Sequence, residues 1–218
     1  MGATGFAGWP REALAFLREL EEHNEREWFH ANRPRYDAHV AGPAKALGAA
    51  LADLGDPHVF RPFNDTRFHP GPPIKEHVGL VVGRGVGGGI FYVELSLDGV
   101  LVAAGIHAPA PDQVDRLRHA VADGRRAAGL TRALRRAEGA GLERSEPDLK
   151  RTPRGWPADH PRAELLRHRR LVVARRHELG PWLHGDEALA RVRADLDAAA
   201  PLVRWLREHV GPSTKPRR

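Results

Sequence analysis

Residues 89–106 read GIFYVELSLDGVLVAAGI. In the first arm Phe91, Val93, Leu95 and Leu97 fall on one side of an extended chain and Tyr92, Glu94 and Ser96 on the other, the period of two that a half-buried strand requires. Asp98-Gly99 interrupts the run where positive φ is cheap, so the two arms read as a hairpin turning there. A hairpin with one apolar side belongs to an antiparallel sheet covered on that side. HVGLVVG at 77–83 reads as a further strand, and 58–107 as the whole β region. GVGGG at 85–89 is a flexible lead-in; it precedes a strand with no helix start after it, which weakens it as a phosphate loop.

Helical periods flank this region. One helix is expected from Pro10 to about Glu22, with Leu14, Leu17 and Leu20 on one face. A second stretch holds Trp28 and Phe29, is interrupted at Pro34, and resumes as one buried stripe of Tyr36, Val40, Pro43, Leu47, Ala50 and Leu54. After the hairpin, Asp112 is expected to cap a helix carrying Val114, Leu117 and Val121, and 125–139 reads as an amphipathic helix with Leu130 and Leu134 inward and arginines outward. A short strand near Leu142, a helix over Arg162 to His168 and a strand at Leu171 to Val173 follow. The last helix carries Leu189, Val192, Leu196, Ala199, Val203, Leu206 and Val210, with Pro201 expected to kink or split it. The fold class is α+β: one domain over 5–210, an antiparallel or mixed sheet with helices packed on it, long N- and C-terminal helices, and a disordered basic tail at 211–218.

Composition narrows function by exclusion. No apolar run approaches the roughly 18 residues a bilayer demands, so no membrane partner is expected. The N-terminus lacks a basic segment followed by an apolar one, and the chain has no cysteine, which removes disulfides, thiolate metal sites and a Cys nucleophile. A cytoplasmic setting fits. The formal net charge of +6 and pI near 10.4 invite a nucleic-acid partner. Against that, acidic residues are spread along the chain and aromatics are 6%, so nucleic acid stands behind a small ligand. Four lysines face thirty arginines, so the high pI is largely compositional. Where arginine is the default cation, a retained lysine asks for a reason; Lys75 and Lys150 both sit in Pro-rich irregular stretches.

Two such stretches concentrate ionisable groups. FRPFNDTRFHPGPPIKEH at 60–77 carries Asp65, Arg67, His69 and Lys75 in a segment braced by four prolines. LKRTPRGWPADHP at 149–161 carries Lys150, Arg151, Asp159 and His160; Pro161 suits a first helical position, so Asp159 or His160 has a capping role available, which leaves Lys150 and Arg151 unaccounted for. His160, Glu164 and His168 recur at steps of four, but arginines and Leu165-Leu166 crowd the stripe, and no metal is assigned. The three serines lie outside any nucleophile-elbow context. Cations outnumber carboxylates, which favours an anionic ligand such as phosphate or carboxylate.

Four ordered motifs, WPREALAFLRELEEHNEREWFHANRPRYDAHV, NDTRF followed by PPIK, FYVELSLDGVLVAAGIHAPAPDQVDRLRHAV and LKRTPRGWPADHPRAELLRHRRL, resemble the family termed domain of unknown function 2461 over about Gly5 to Val210. The resemblance implies one intact α and β domain and no particular activity. It picks out Asn24, Arg26, Trp28, Phe29, Asp65, Arg67, Phe68, Lys75, Lys150, Arg151, Pro153, Gly155, Asp159, His160, Pro161 and Glu164. Where the family usually reads Arg-Asp-x-Arg-Phe-Ser-Lys-Asp-Lys-Thr-Pro-Tyr-Lys, this chain has Asn64 for the first Arg and HPGP for the Ser-Lys-Asp-Lys stretch, one residue shorter.

The leading expectation is that the two segments form a pocket for a small anionic ligand. Arg67, Lys75 and Arg151 bind it, while Asp65, His160 and Lys150 are the candidate catalytic groups for acid–base chemistry. The alternative is a non-enzymatic interaction module that meets a protein or nucleic acid through its arginine-rich surface. Enzymatic status, cofactor, oligomeric state and pathway carry no signature in the sequence.

Overall fold

The computed structural model describes residues 5–65, 71–84 and 87–214. Helix α1 is Arg11–Glu22, with Pro10 in extended conformation just before it and Leu14, Leu17 and Leu20 joined in the core by Ala13 and Phe16. Helices α2 (Arg26–Ala31) and α3 (Arg33–Tyr36) lead into a π-helical turn, Asp37–Ala41, and then α4, Gly42–Ala50. Phe16, Phe29 and Tyr36 pack with ring centroids 5.1–6.3 Å apart, each pair adding about 0.5–1.5 kcal/mol beyond area burial. Burial pushes the Tyr36 hydroxyl up to about 12.

The π turn corrects the expected stripe. Pro43 has no N–H to give to the ladder, and Gly42 before it bonds back to the Asp37 carbonyl, five residues away. One residue is thereby inserted, and the buried set of α4 becomes Ala44, Leu47, Gly48 and then Leu51, while Pro43, Ala50 and Leu54 are only half-buried.

The strands are β1 (Pro57–Val59), β2 (Val78–Val82), β3 (Ile90–Ser96) and β4 (Gly99–Ile106). In β3 the expected alternation holds: Phe91, Val93 and Leu95 are buried, Tyr92, Glu94 and Ser96 half-exposed. The hairpin turns at Leu97-Asp98, one residue earlier than expected, and Gly99 opens β4 at φ 126°, where a Cβ would run into the His177 carbonyl.

Helix α5 is Pro111–Ala122 and α6 is Gly124–Gly139. The cap of α5 is Ala110 rather than Asp112, because Pro111 takes the first helical position; the Gln113 side chain accepts the Ala110 N–H at 2.9 Å. Helix α6 buries Ala127, Leu130, Ala133, Leu134 and Ala137 and exposes its arginines as expected. Strand β5 is Glu143–Arg144, α7 covers only Ala163–Leu166, β6 runs Leu171–His177, and α8 is Glu187–His209. Pro201 lies inside α8 without splitting it: one backbone hydrogen bond is lost, while the helix buries Val192, Leu196, Ala199, Leu202, Val203 and Leu206. Leu189, expected in that stripe, is half-buried and Ala188 takes its place.

The sheet order is β1-β2-β3-β4-β6-β5, antiparallel at both edges, with Pro57 opposite Val82 and Glu143 opposite Ala174. The described residues fall into two compact units: those of Met1–Val82, Tyr92–Val102 and Arg176–Arg193, and those of Gly83–Phe91, Ala103–Arg175 and Ala194–Arg218. Each unit draws on separate stretches of chain, so neither can be cut out as a continuous segment. Of the tail expected to be disordered, Gly211 to Thr214 are hydrogen-bonded to Asp112, Gln113 and Arg116, and the last four residues lie outside the described ones.

Candidate functional site

Segment one is braced by a ladder in the first unit. Phe63 bridges Ile74, the Asn64 N–H meets the Pro73 carbonyl at 2.9 Å, and the Lys75 N–H meets the Pro62 carbonyl at 2.7 Å. Asn24, between α1 and α2, clasps this ladder: its Oδ1 accepts the Ile74 N–H at 3.0 Å, and its Nδ2 donates to the Ile74 carbonyl at 3.1 Å and to Glu76 at 2.8 Å. The Lys75 ammonium donates to the Phe63 carbonyl at 2.6 Å and the Arg61 carbonyl at 3.0 Å. Burial and the nearby Arg61 charge lower its pKa. Both residues singled out by the resemblance therefore have backbone partners that account for them. Asp65 is exposed; Arg67, with Phe68 and His69, lies outside the described residues.

Segment two is a run of turns in the second unit. The Trp156 N–H reaches the Pro153 carbonyl at 3.2 Å, with Gly155 at φ 92°, as a type II turn requires. His160 Nδ1 accepts the Arg162 backbone N–H at 3.0 Å, so in the neutral imidazole the proton sits on Nε2. The cap position of α7 is Arg162 and carries no side-chain cap, so neither Asp159 nor His160 takes the capping role expected of the pair; His160 instead closes the turn just before the helix. The expected helix over Arg162 to His168 shrinks to one turn because its flanks bond elsewhere. Arg162 donates to the Val121 and Ala122 carbonyls at 2.6 Å each, closing the end of α5, and His168 is 1% exposed with Nδ1 on the Arg170 carbonyl at 3.2 Å. The step-of-four stripe of His160, Glu164 and His168 is thus not one helical face, and Glu164 pairs instead with Arg144 at 3.2 Å.

Most charges around this segment are spoken for. Asp148 accepts the backbone N–H groups of Arg169 and Arg170 at 2.7 and 3.1 Å and pairs with the Arg170 guanidinium at 3.3 Å. Lys150 and Arg151 are exposed, as are Arg154 and Asp159, and among the described residues no carboxylate pairs with Lys150, Arg151 or Arg154. Trp156, half-exposed, lies between His119 and His160 at centroid distances of 5.3 and 6.4 Å.

A third constellation escaped the reading of the sequence. On the polar face of β3 the Tyr92 hydroxyl donates to Glu94 Oε2 at 2.6 Å. His77 Nε2 stands 3.8 Å from the same oxygen and Arg176 Nη2 3.8 Å from Oε1. Burial, and then the Glu94 carboxylate, raise the Tyr92 pKa. Tyr92 and Glu94 on one strand face were legible as a pair; His77 and Arg176, 17 residues before and 82 after Glu94, were not.

Family comparison matches residues 12–205 to a family described as conserved hypothetical protein (DUF2461). Comparison with curated proteins and with solved structures finds no match.

Proposed function

The chain belongs to the DUF2461 family of conserved hypothetical proteins, and from that premise we propose that it binds a small anionic ligand, phosphate- or carboxylate-bearing, at Lys150 and Arg151 in its second unit. The family description names no activity, so the reading rests on the residues. What carries it is the contrast between the two retained lysines. The Lys75 ammonium is taken by two carbonyls, whereas Lys150, next to Arg151 in sequence, is exposed, and among the described residues no carboxylate pairs with either. A guanidinium next to a lysine ammonium suits a planar or tetrahedral oxyanion. In its neutral form His160 offers its Nε2–H as a further hydrogen-bond donor in the same segment. The cytoplasmic setting expected from the sequence is part of the same proposal, checked by fractionating cells that express the tagged chain.

The test is thermal unfolding with inorganic phosphate and tripolyphosphate, comparing wild type with Lys150→Ala/Arg151→Ala. A ligand of the native state raises apparent stability. The reading expects a rise in wild type that salt weakens and the double variant loses. An equal rise in both proteins sinks it.

A second reading has its own observation: Arg125, Arg126, Arg132, Arg135 and Arg136 are all exposed on α6, with its apolar face inward. That face suits a polyanionic partner such as nucleic acid. Replacing Arg132, Arg135 and Arg136 by Glu should then abolish salt-dependent binding to nucleic acid; binding that is unchanged removes the reading.

A further inference from the structure

We propose that the polar sheet face of the first unit binds a neutral polyhydroxylated ligand, with a vicinal pair of its hydroxyls on the two oxygens of Glu94. This site is separate from the anion site at Lys150 and uses none of its residues.

The ligand class follows from the gaps around the carboxylate. The Glu94 side chain is 16% exposed, and Tyr92 holds it by a 2.6 Å hydrogen bond to Oε2. His77 and Arg176 approach its two oxygens to 3.8 Å each, beyond the roughly 3.2 Å at which N–H and O bond directly. At this separation the two partners can share one polar atom seated beside them, about 2.8 Å from each. A group in the gap must accept from the imidazole or guanidinium N–H and donate to the carboxylate. A hydroxyl does both, a fully ionised phosphate or carboxylate cannot donate, and an ammonium cannot accept. The two gaps flank the two oxygens of a single carboxylate, which matches hydroxyls on adjacent carbons.

Charge and shape agree with that class. Glu94 and Arg176 carry opposite charges, so the pair draws neither sign strongly. Arg176 also approaches Ser96 Oγ, at 3.4 Å, which supplies another donor and acceptor beside the second gap. The Phe60 ring, half-exposed and 6.3 Å from that of Tyr92, adds an apolar surface for the carbon face of such a ligand. Gly79 leaves the room: a Cβ there would stand 2.7 Å from the Tyr92 hydroxyl and displace it from Glu94.

The experiment follows His and Tyr side-chain NMR signals of the full chain during titration with methyl β-D-ribofuranoside and with its 2-deoxy analogue, which lacks the vicinal pair. The ribofuranoside should shift His77 and Tyr92 signals and the deoxy analogue should bind at least about tenfold more weakly, the loss expected when one donor–acceptor group goes. Glu94→Gln, which trades an acceptor oxygen for a donor, should lose the response, while Lys150→Ala/Arg151→Ala should keep it. Equal responses to the two glycosides, or none to the first, overturn the proposal, and that comparison is made on wild type whether or not Glu94→Gln folds.

Discussion

The Asp112 carboxylate receives the Thr214 backbone N–H at 2.8 Å, which ties the C-terminal segment to the first turn of α5 across 102 positions of chain. The Ser213 and Thr214 hydroxyls donate to it at 2.8 and 3.1 Å, and Arg116 joins it at 3.0 Å while its other N–H groups hold the Val210 and Pro212 carbonyls at 2.6 Å. Within the segment that composition marks as a tail, Gly211 to Thr214 are held by Asp112, Gln113 and Arg116, which meet their backbone groups and hydroxyls.

Asp112→Ala should therefore free residues 211–214, read as faster amide exchange at Thr214 and earlier proteolysis of the C-terminus. The Thr214 N–H, followed by the hydroxyls and Arg116, holds the Asp112 carboxyl well below the usual carboxylate range. A depressed carboxyl pKa gives stability that is complete above the unfolded value and is lost as pH falls through the folded one. Thr214 protection should accordingly survive mild acid and disappear only at strongly acid pH; loss at the ordinary carboxylate pKa contradicts this.

Asn24→Ala removes both arms of the clasp on Ile74 and leaves part-buried backbone groups without partners. The expected cost is about 1–3 kcal/mol, a drop in Tm of roughly 2–4 °C for each kcal/mol. An unchanged Tm would show that the clasp is replaced by water.

Lys75→Met should destabilise by a similar margin, about 1–3 kcal/mol, because the Arg61 and Phe63 carbonyls lose their donor. The phosphate-induced rise in Tm attributed to Lys150 and Arg151 should persist in this variant. Disappearance of that rise would make Lys75 a ligand-binding residue as well.

His168 gives a pH prediction in the second unit. Its Nδ1 donates to the Arg170 carbonyl, its Nε2 is buried with no partner among the described residues, and burial is the main cause lowering its pKa. The facing charges are Arg144, which adds to the lowering, and Asp148 and Glu164, which oppose it. With the folded pKa below the unfolded one, stability is complete above the ordinary imidazole range and declines as pH falls through it toward the folded value. Thermal unfolding of His168→Phe across that interval should show a shallower decline than wild type; parallel curves would refute the assignment.

The elements legible in advance are those whose signal is local. The alternation of Phe91, Val93 and Leu95 needed only period two, and α1, α6 and most of α8 needed only steps of three and four. Around Pro43 the stripe through Tyr36 keeps Leu47 but moves to Ala44, Gly48 and Leu51 in place of Pro43, Ala50 and Leu54, since a π turn changes the register without leaving a mark in the period. Asp112 was misread as a cap because its partners lie at the far end of the chain.

The sequence by itself determined the class of the fold, the hairpin at its centre, the family, and the two segments in which charge is concentrated, because side-chain burial follows repeats a few residues long. Tertiary structure decided the use of each charge. Asn24 meets Ile74 across 50 positions, Arg162 closes α5 across 41 and Arg176 reaches Ser96 across 80. A polar group costs free energy when its partner is missing, so its role is set by whatever the folded chain places within about 3 Å, and sequence separation carries no record of that distance.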